Sequence, residues 1–148
     1  MNEFFVHNRF NAVPKSLDNP PPLCNRPLTI LNLNIRSIPK NPQSINDTIM
    51  HHSSIKFDIL GFTEIRLDSH LCSLYDIPGY HMFTRSRNSH GGGVALYIST
   101  DYYDTGTQNQ LRISESFIET IGIETTIVNK KYLFMCIYRP PNSHFNNF

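Results

Sequence analysis

The chain reads as α/β, and three observations predict it. A strand-helix-strand pattern occupies residues 28–64, a row of hairpin patterns follows from Tyr80, and the composition suits one globular domain. The stretch FDILGFTEIRL, Phe57 to Leu67, organises the first pattern. Six of its first eight residues are apolar, Gly or Thr, a run too short for an ordinary helix, and a carboxylate arrives as it stops. This predicts a short buried strand delivering Glu64 to its carboxyl end, where ligand sites of open α/β sheets lie. Taken alone, Glu64 reads first as a capping or salt-bridged acid in a loop and only second as chemistry.

At 148 residues, with 39% apolar and 11% aromatic content, the chain is sized for one soluble domain with a core. Its net charge of +1 and pI of 7.8 exclude the broad basic field that holds proteins to nucleic acid by counterion release. Any phosphate must therefore be bound at a local site. Cys24, Cys72 and Cys136 are odd in number and widely spaced, which points to neither a disulfide framework nor a zinc site. No apolar run approaches the ~20 residues that span a bilayer, and Phe4 to Val6 is too short for a signal-peptide core. The expectation is an intracellular protein in a reducing compartment.

Residues 1–27 hold five prolines without helical or alternating periodicity and read as a disordered, proline-rich leader. Order is expected from Leu28, where LTILNLN alternates two apolar faces and ends in Asn32 and Asn34. Asn41-Pro42 resembles an N-cap followed by proline at the first helical position, and Ile45, Ile49 and His52 then recur at helical spacing. Strand, helix and the Phe57 strand make a βαβ unit, which sets the two strands parallel and brings Asn34 and Glu64 to the same end. Residues 68–79 read as an irregular loop with a turn at Ile77-Pro78-Gly79. Tyr80 to Thr84 and Val94 to Ile98 read as strands flanking RSRNSHGGG. Its glycines, beside Arg85, Arg87 and His90, form either a backbone cradle for phosphate or a plain hairpin end. Residues 102–110 read as a polar connection. Phe117, Glu119, Ile121 and Ile123 alternate onto one face of a further strand, Asn129-Lys130-Lys131 reads as a turn, and YLFMCIY reads as another core strand, stopped by Pro140 and Pro141.

Four segments, LNLNIRS, DILGFTE, Arg-x-Arg followed by GGGVALY, and IYRPPN, together resemble the endonuclease/exonuclease/phosphatase family of metal-dependent phosphoesterases. Asn34-Ile35-Arg36-Ser37, Gly91 to Tyr97 and Arg139-Pro140-Pro141 are most similar to the endonuclease domain of non-LTR (LINE-type) retrotransposons, over about residues 28–142. The resemblance implies a two-sheet α/β sandwich of the DNase I-like type. It implies a Mg²⁺ (or Mn²⁺) site at the sheet ends, with Glu64 as metal ligand and Asn34 helping to order the metal and bonding the phosphate. Tyr138 matches the tyrosine whose hydroxyl meets the phosphate, and Arg36, Arg85, Arg87 and Asn142 are the implied substrate contacts. The partner would be DNA, nicked in the nucleus for reverse transcription.

The family also uses an Asp-x-Asn pair and a later Ser-Asp-His beyond the Tyr-x-Pro strand, whereas this chain ends ten residues after Tyr138. The expectation is therefore a partial domain over residues 28–148, truncated after roughly the first half. Such a piece should be nearly inert and prone to self-association, because groups that act as one catalytic unit fail together. Ile65 after the glutamate, and Gly61 as a missing side chain in the strand, depart from the family pattern. The alternatives are a non-catalytic binding protein, a decayed gene product or another phosphoesterase of the same fold.

Overall fold

In a computed structural model of the chain, the residues described are 27–40, 45, 56–87, 90–103, 109–111, 114–115, 118–127 and 130–141. They form two four-stranded sheets with little helix. The first sheet contains β1 (Ile30–Asn34), β2 (Ile59–Thr63), β3 (Tyr80–Arg85) and β4 (Val94–Ser99), in the order β1-β2-β4-β3. β1 runs parallel to β2, and β4 is antiparallel to both β2 and β3. The second sheet contains β5 (Asn109–Leu111), β6 (Ser114–Glu115), β7 (Ile118–Ile127) and β8 (Lys130–Tyr138), with all three partners antiparallel to β7.

β2 and β4 lie between two apolar layers, which is why both read as nearly continuous apolar runs. Ile59, Val94, Leu96 and Ile98 face the second sheet and meet Ile121, Ile123 and Cys136. Leu60, Phe62, Ala95 and Tyr97 face the opposite way, with Leu31, Ile35, Ile38, Ile65 and Leu67. Phe62 and Tyr97 meet edge to face with ring centroids 5.5 Å apart. Burying a side chain of that size contributes about 1.5–3 kcal/mol.

The register of β1 against β2 carries the geometry of the rim. Opposite that rim, Asp58 is fully buried and accepts from Thr29 N at 2.8 Å and from Thr29 Oγ1 at 2.9 Å, while Asp58 N donates to Thr29 O at 2.8 Å. This clamp places Asn34 opposite Thr63, one residue before Glu64.

Several expectations need correction. Residues 69–75 are not irregular: Ser69–Tyr75 is a 3-10 helix, opened by Leu71 N donating to Asp68 O at 2.9 Å. It tucks Leu71, Cys72 and Tyr75 against the core, and Tyr97 Oη donates to Tyr75 O at 2.8 Å. Tyr102 and Tyr103, read as polar connection, are buried between the sheets, and Asn109 and Gln110 belong to β5. Lys130 and Lys131 already pair with Ile127 and Thr126, so they lie in β8 and not in a turn. Gly61 removes no packing. A Cβ there would stand 3.3 Å from Asn32 Oδ1 and 3.6 Å from Cys136 Sγ, so neighbours already fill the space.

The leader up to residue 26 lies outside the described residues, as does the helix expected after Pro42 except for Ile45, which is helical and buried. No helix among the described residues is long and apolar enough to cross a membrane. On β8, Leu133, Met135 and Ile137 form an exposed apolar stripe on one side of the strand. Asp58→Ala should lower unfolding free energy by about 1–3 kcal/mol in urea denaturation, because Thr29 loses its buried partner. Lys56→Ala, which removes the exposed pair with Asp101 at 2.7 Å, should change it by less than about 1 kcal/mol.

Candidate functional site

Three strands deliver side chains to one rim. β1 ends at Asn34, and the pairing continues one step further as Ile35 N donates to Thr63 O at 3.0 Å. Glu64 follows β2 directly and leaves the sheet in the left-handed region at φ 55°, as does Arg66 at φ 49°. Such backbone is uncommon for non-glycine residues and persists where surrounding structure holds it.

Asn34 Nδ2 donates to Glu64 Oε1 at 2.9 Å. A carboxylate only accepts, which fixes the amide with its nitrogen toward Glu64, and Asn34 Oδ1 accepts from Arg36 N at 3.2 Å. Tyr138, the last residue of β8, donates its hydroxyl to the same Oε1 at 3.0 Å across a sequence separation of 74. Arg66 Nη2 donates to Oε2 at 3.2 Å. Glu64 therefore joins the two sheets and keeps 18% of its side chain exposed.

The Asn34 hydrogen bond, opposed by partial burial and reinforced by Tyr138 and Arg66, holds the Glu64 carboxyl below its ordinary value. Burial, with the bond to Glu64 and the charge of Glu64 adding to it, pushes the Tyr138 phenol up to about 12. At neutral pH the pair is an ionised acceptor and a protonated donor. Cys136, behind the rim, donates to Phe62 O at 3.6 Å, and burial pushes its thiol up to about 12, which leaves it unreactive.

The remaining expected site residues are placed differently. Arg36 is exposed beside Asn34 at φ 55°. Arg85 ends β3, half-buried and paired in register with Val94. Arg87 pairs with Glu119 at 3.5 Å while half its side chain stays exposed. Asn142 lies outside the described residues.

The glycine segment closes the hairpin of β3 with β4, the second of the two expectations, and it packs inward against the rim. Gly92 and Gly93 take φ values of 72° and 84°, and their carbonyls accept from Arg66 N at 2.9 Å and Ile65 N at 3.2 Å. Gly93 N donates to Glu119 Oε2, so its N–H is not offered to a phosphate. A Cβ on Gly93 would stand 2.7 Å from Ile65 Cγ1. These glycines form an arch against the Glu64 segment, and close approach is what requires them.

Arg66 and Glu119 are the members of this constellation that sequence reasoning passed over. Arg66 is signalled by the acid-x-arginine spacing of Glu64-Ile65-Arg66. Glu119 is signalled by a carboxylate in line with Ile121 and Ile123 on an otherwise apolar face.

The donor set fits an oxygen-preferring divalent cation held by one carboxylate, with water and phosphate oxygens in its other positions. No cluster of three or more His, Cys, Asp or Glu occurs among the described residues.

Because the folded Glu64 carboxyl titrates below its ordinary 4.5, its bonds contribute stability that is fully present above pH 4.5. That contribution is lost as pH falls through the lower folded value. The thermal midpoint of the wild type minus that of Glu64→Gln should be largest near neutrality and shrink on acidification below pH 4.5; a difference independent of pH contradicts the ionised, hydrogen-bonded carboxylate. Compared with family models and with curated proteins, the chain matches none.

Proposed function

We propose that this rim binds a divalent cation and a DNA phosphodiester, as the metal-binding part of a DNase I-like endonuclease of the non-LTR retrotransposon type. The single observation that carries the reading is the hydrogen-bonded trio of Asn34, Glu64 and Tyr138, drawn from three strands to one carboxylate oxygen. The four sequence segments that resemble the family contain these three residues, and two facing sheets with little helix are compatible with its sandwich. On this reading the protein acts where target DNA is, in the nucleus.

Glu64 is the residue that would hold Mg²⁺ or Mn²⁺. When bound, the cation supplies Lewis-acid neutralisation of charge on the phosphate. Asn34 keeps the carboxylate turned to the rim through its amide nitrogen. Arg66, which donates to Oε2, and exposed Arg36 would place positive charge beside a phosphate held there. Tyr138 keeps its proton at all ordinary pH values and so stays a hydrogen-bond donor to an oxygen gaining negative charge.

At the rim Glu64 offers a ligand oxygen, and Asn34, Arg66 and Tyr138 offer hydrogen-bond donors, which are the groups of binding and polarisation. The expectation is binding with weak hydrolysis, which is also the form in which the non-catalytic reading survives.

Fluorescence anisotropy with a short DNA duplex tests the proposal. Affinity should rise with Mg²⁺, and Glu64→Gln should remove at least about tenfold of that gain, with little nicking of supercoiled plasmid by either protein. Affinity indifferent to both Mg²⁺ and Glu64 overturns the reading, and rapid Glu64-dependent nicking overturns the claim of weak hydrolysis.

A further inference from the structure

We propose that Glu119 is a positioning residue for the rim, acting through the Gly92–Gly93 arch to hold Glu64 in its left-handed backbone. Glu119 lies on β7 directly opposite Tyr138, and only 9% of it is exposed, in a position flanked by the apolar inter-sheet layer. A carboxylate is costly to bury unless its oxygens are satisfied. One is satisfied by Gly93 N and the other by Arg87 at 3.5 Å.

The connection then runs through the backbone alone. Gly93, held at its nitrogen by Glu119, offers its carbonyl to Ile65 N at 3.2 Å, and Gly92 offers its carbonyl to Arg66 N at 2.9 Å. These are the two peptide groups that follow Glu64. Ile65 O accepts in turn from Ile38 N at 2.9 Å, so the segment is gripped from both sides. Fit at the glycines is close: a Cβ on Gly92 would stand 2.6 Å from Glu119 Oε1. An ion pair with Arg87 does not by itself explain the burial, because that guanidinium is 55% exposed and could pair with an acid at the surface. The Gly93 N–H does explain it, since only an inward carboxylate reaches the arch. Glu119 thus stands opposite Tyr138 in the strand pair and is joined by the arch to the segment after Glu64, beside both partners of one hydrogen bond.

Native-state amide hydrogen exchange on the full chain tests the positioning without any metal. In the wild type the amides of Gly93, Ile65 and Arg66 should open together, with one common dependence on denaturant. Glu119→Ala should speed all three by about tenfold or more and leave amides within β1 and β2 unchanged. Glu119→Gln keeps an acceptor oxygen and should hold all three within about threefold. Separate opening of the three wild-type amides overturns the proposal even where Glu119→Ala does not fold, and so does acceleration of Gly93 alone.

A second arm rests on the metal reading given above. By calorimetry, Mg²⁺ affinity should fall about ten- to a hundredfold in Glu119→Ala and recover in Glu119→Gln. Unchanged affinity in Glu119→Ala alongside lost protection overturns the positioning role. Absence of Mg²⁺ binding in the wild type counts against the metal reading, and the exchange arm still decides the arch.

Discussion

One carboxylate oxygen receives hydrogen bonds from both sheets, and most of the architecture serves that meeting. Glu64 Oε1 accepts from Asn34 at the end of a strand in the first sheet and from Tyr138 at the end of a strand in the second. Two donors at one oxygen keep the acid ionised. For the three groups to coincide, the parallel pair must hold its register, the sheets must dock at the right depth, and the backbone must turn sharply after Thr63. Each requirement has its own structural answer. The buried Asp58–Thr29 clamp sets the register, the layer of Ile59, Leu96, Ile98, Ile121 and Ile123 sets the docking, and the glycine arch holds the turn.

These answers use different physics, so they fail differently. Apolar docking tolerates swaps that conserve volume, at a cost of under about 1.5 kcal/mol. Register in a strand pair is all or none, because a slip by one residue would turn every side chain to the other face. The left-handed turn lies between these cases, since residues at φ 55° and 49° without glycine's freedom depend on partners to hold them. A site assembled this way is rigid along the strands and most vulnerable at residues 64–66.

Much of this was legible in the sequence, and what was legible is local. The apolar run before Glu64 and the alternation before Asn34 identify two strands, and the parallel connection between them puts both polar ends on one rim, as observed. The hairpin of Tyr80–Arg85 with Val94–Ser99 and the long strand ending at Tyr138 follow from the same period of two. What was hidden depends on distant contact. No local pattern says that Glu119 reaches across to Gly93, and a glycine triplet looks the same whether it faces a phosphate or a buried carboxylate. Residues 69–75 lack the length of an ordinary helix, so a single 3-10 segment there hid behind loop-like composition. Tyr102 and Tyr103 are followed by polar residues, which hides in the sequence that both are buried between the sheets. The Asn34–Glu64 pair was found from the residues, whereas the third member, Tyr138, entered through family resemblance and stands within 3.0 Å of Glu64.

On the proposed reading, one rim built from two sheets accepts one divalent cation at Glu64. Paramagnetic broadening by Mn²⁺, followed in proton-nitrogen NMR spectra of the intact chain, tests it most directly. Substoichiometric Mn²⁺ should first broaden the Asn34 side-chain amide and the backbone amides of Glu64, Ile65 and Arg66, with saturation at one equivalent. Broadening that begins at the histidines or along β3, and leaves those signals sharp, would contradict it.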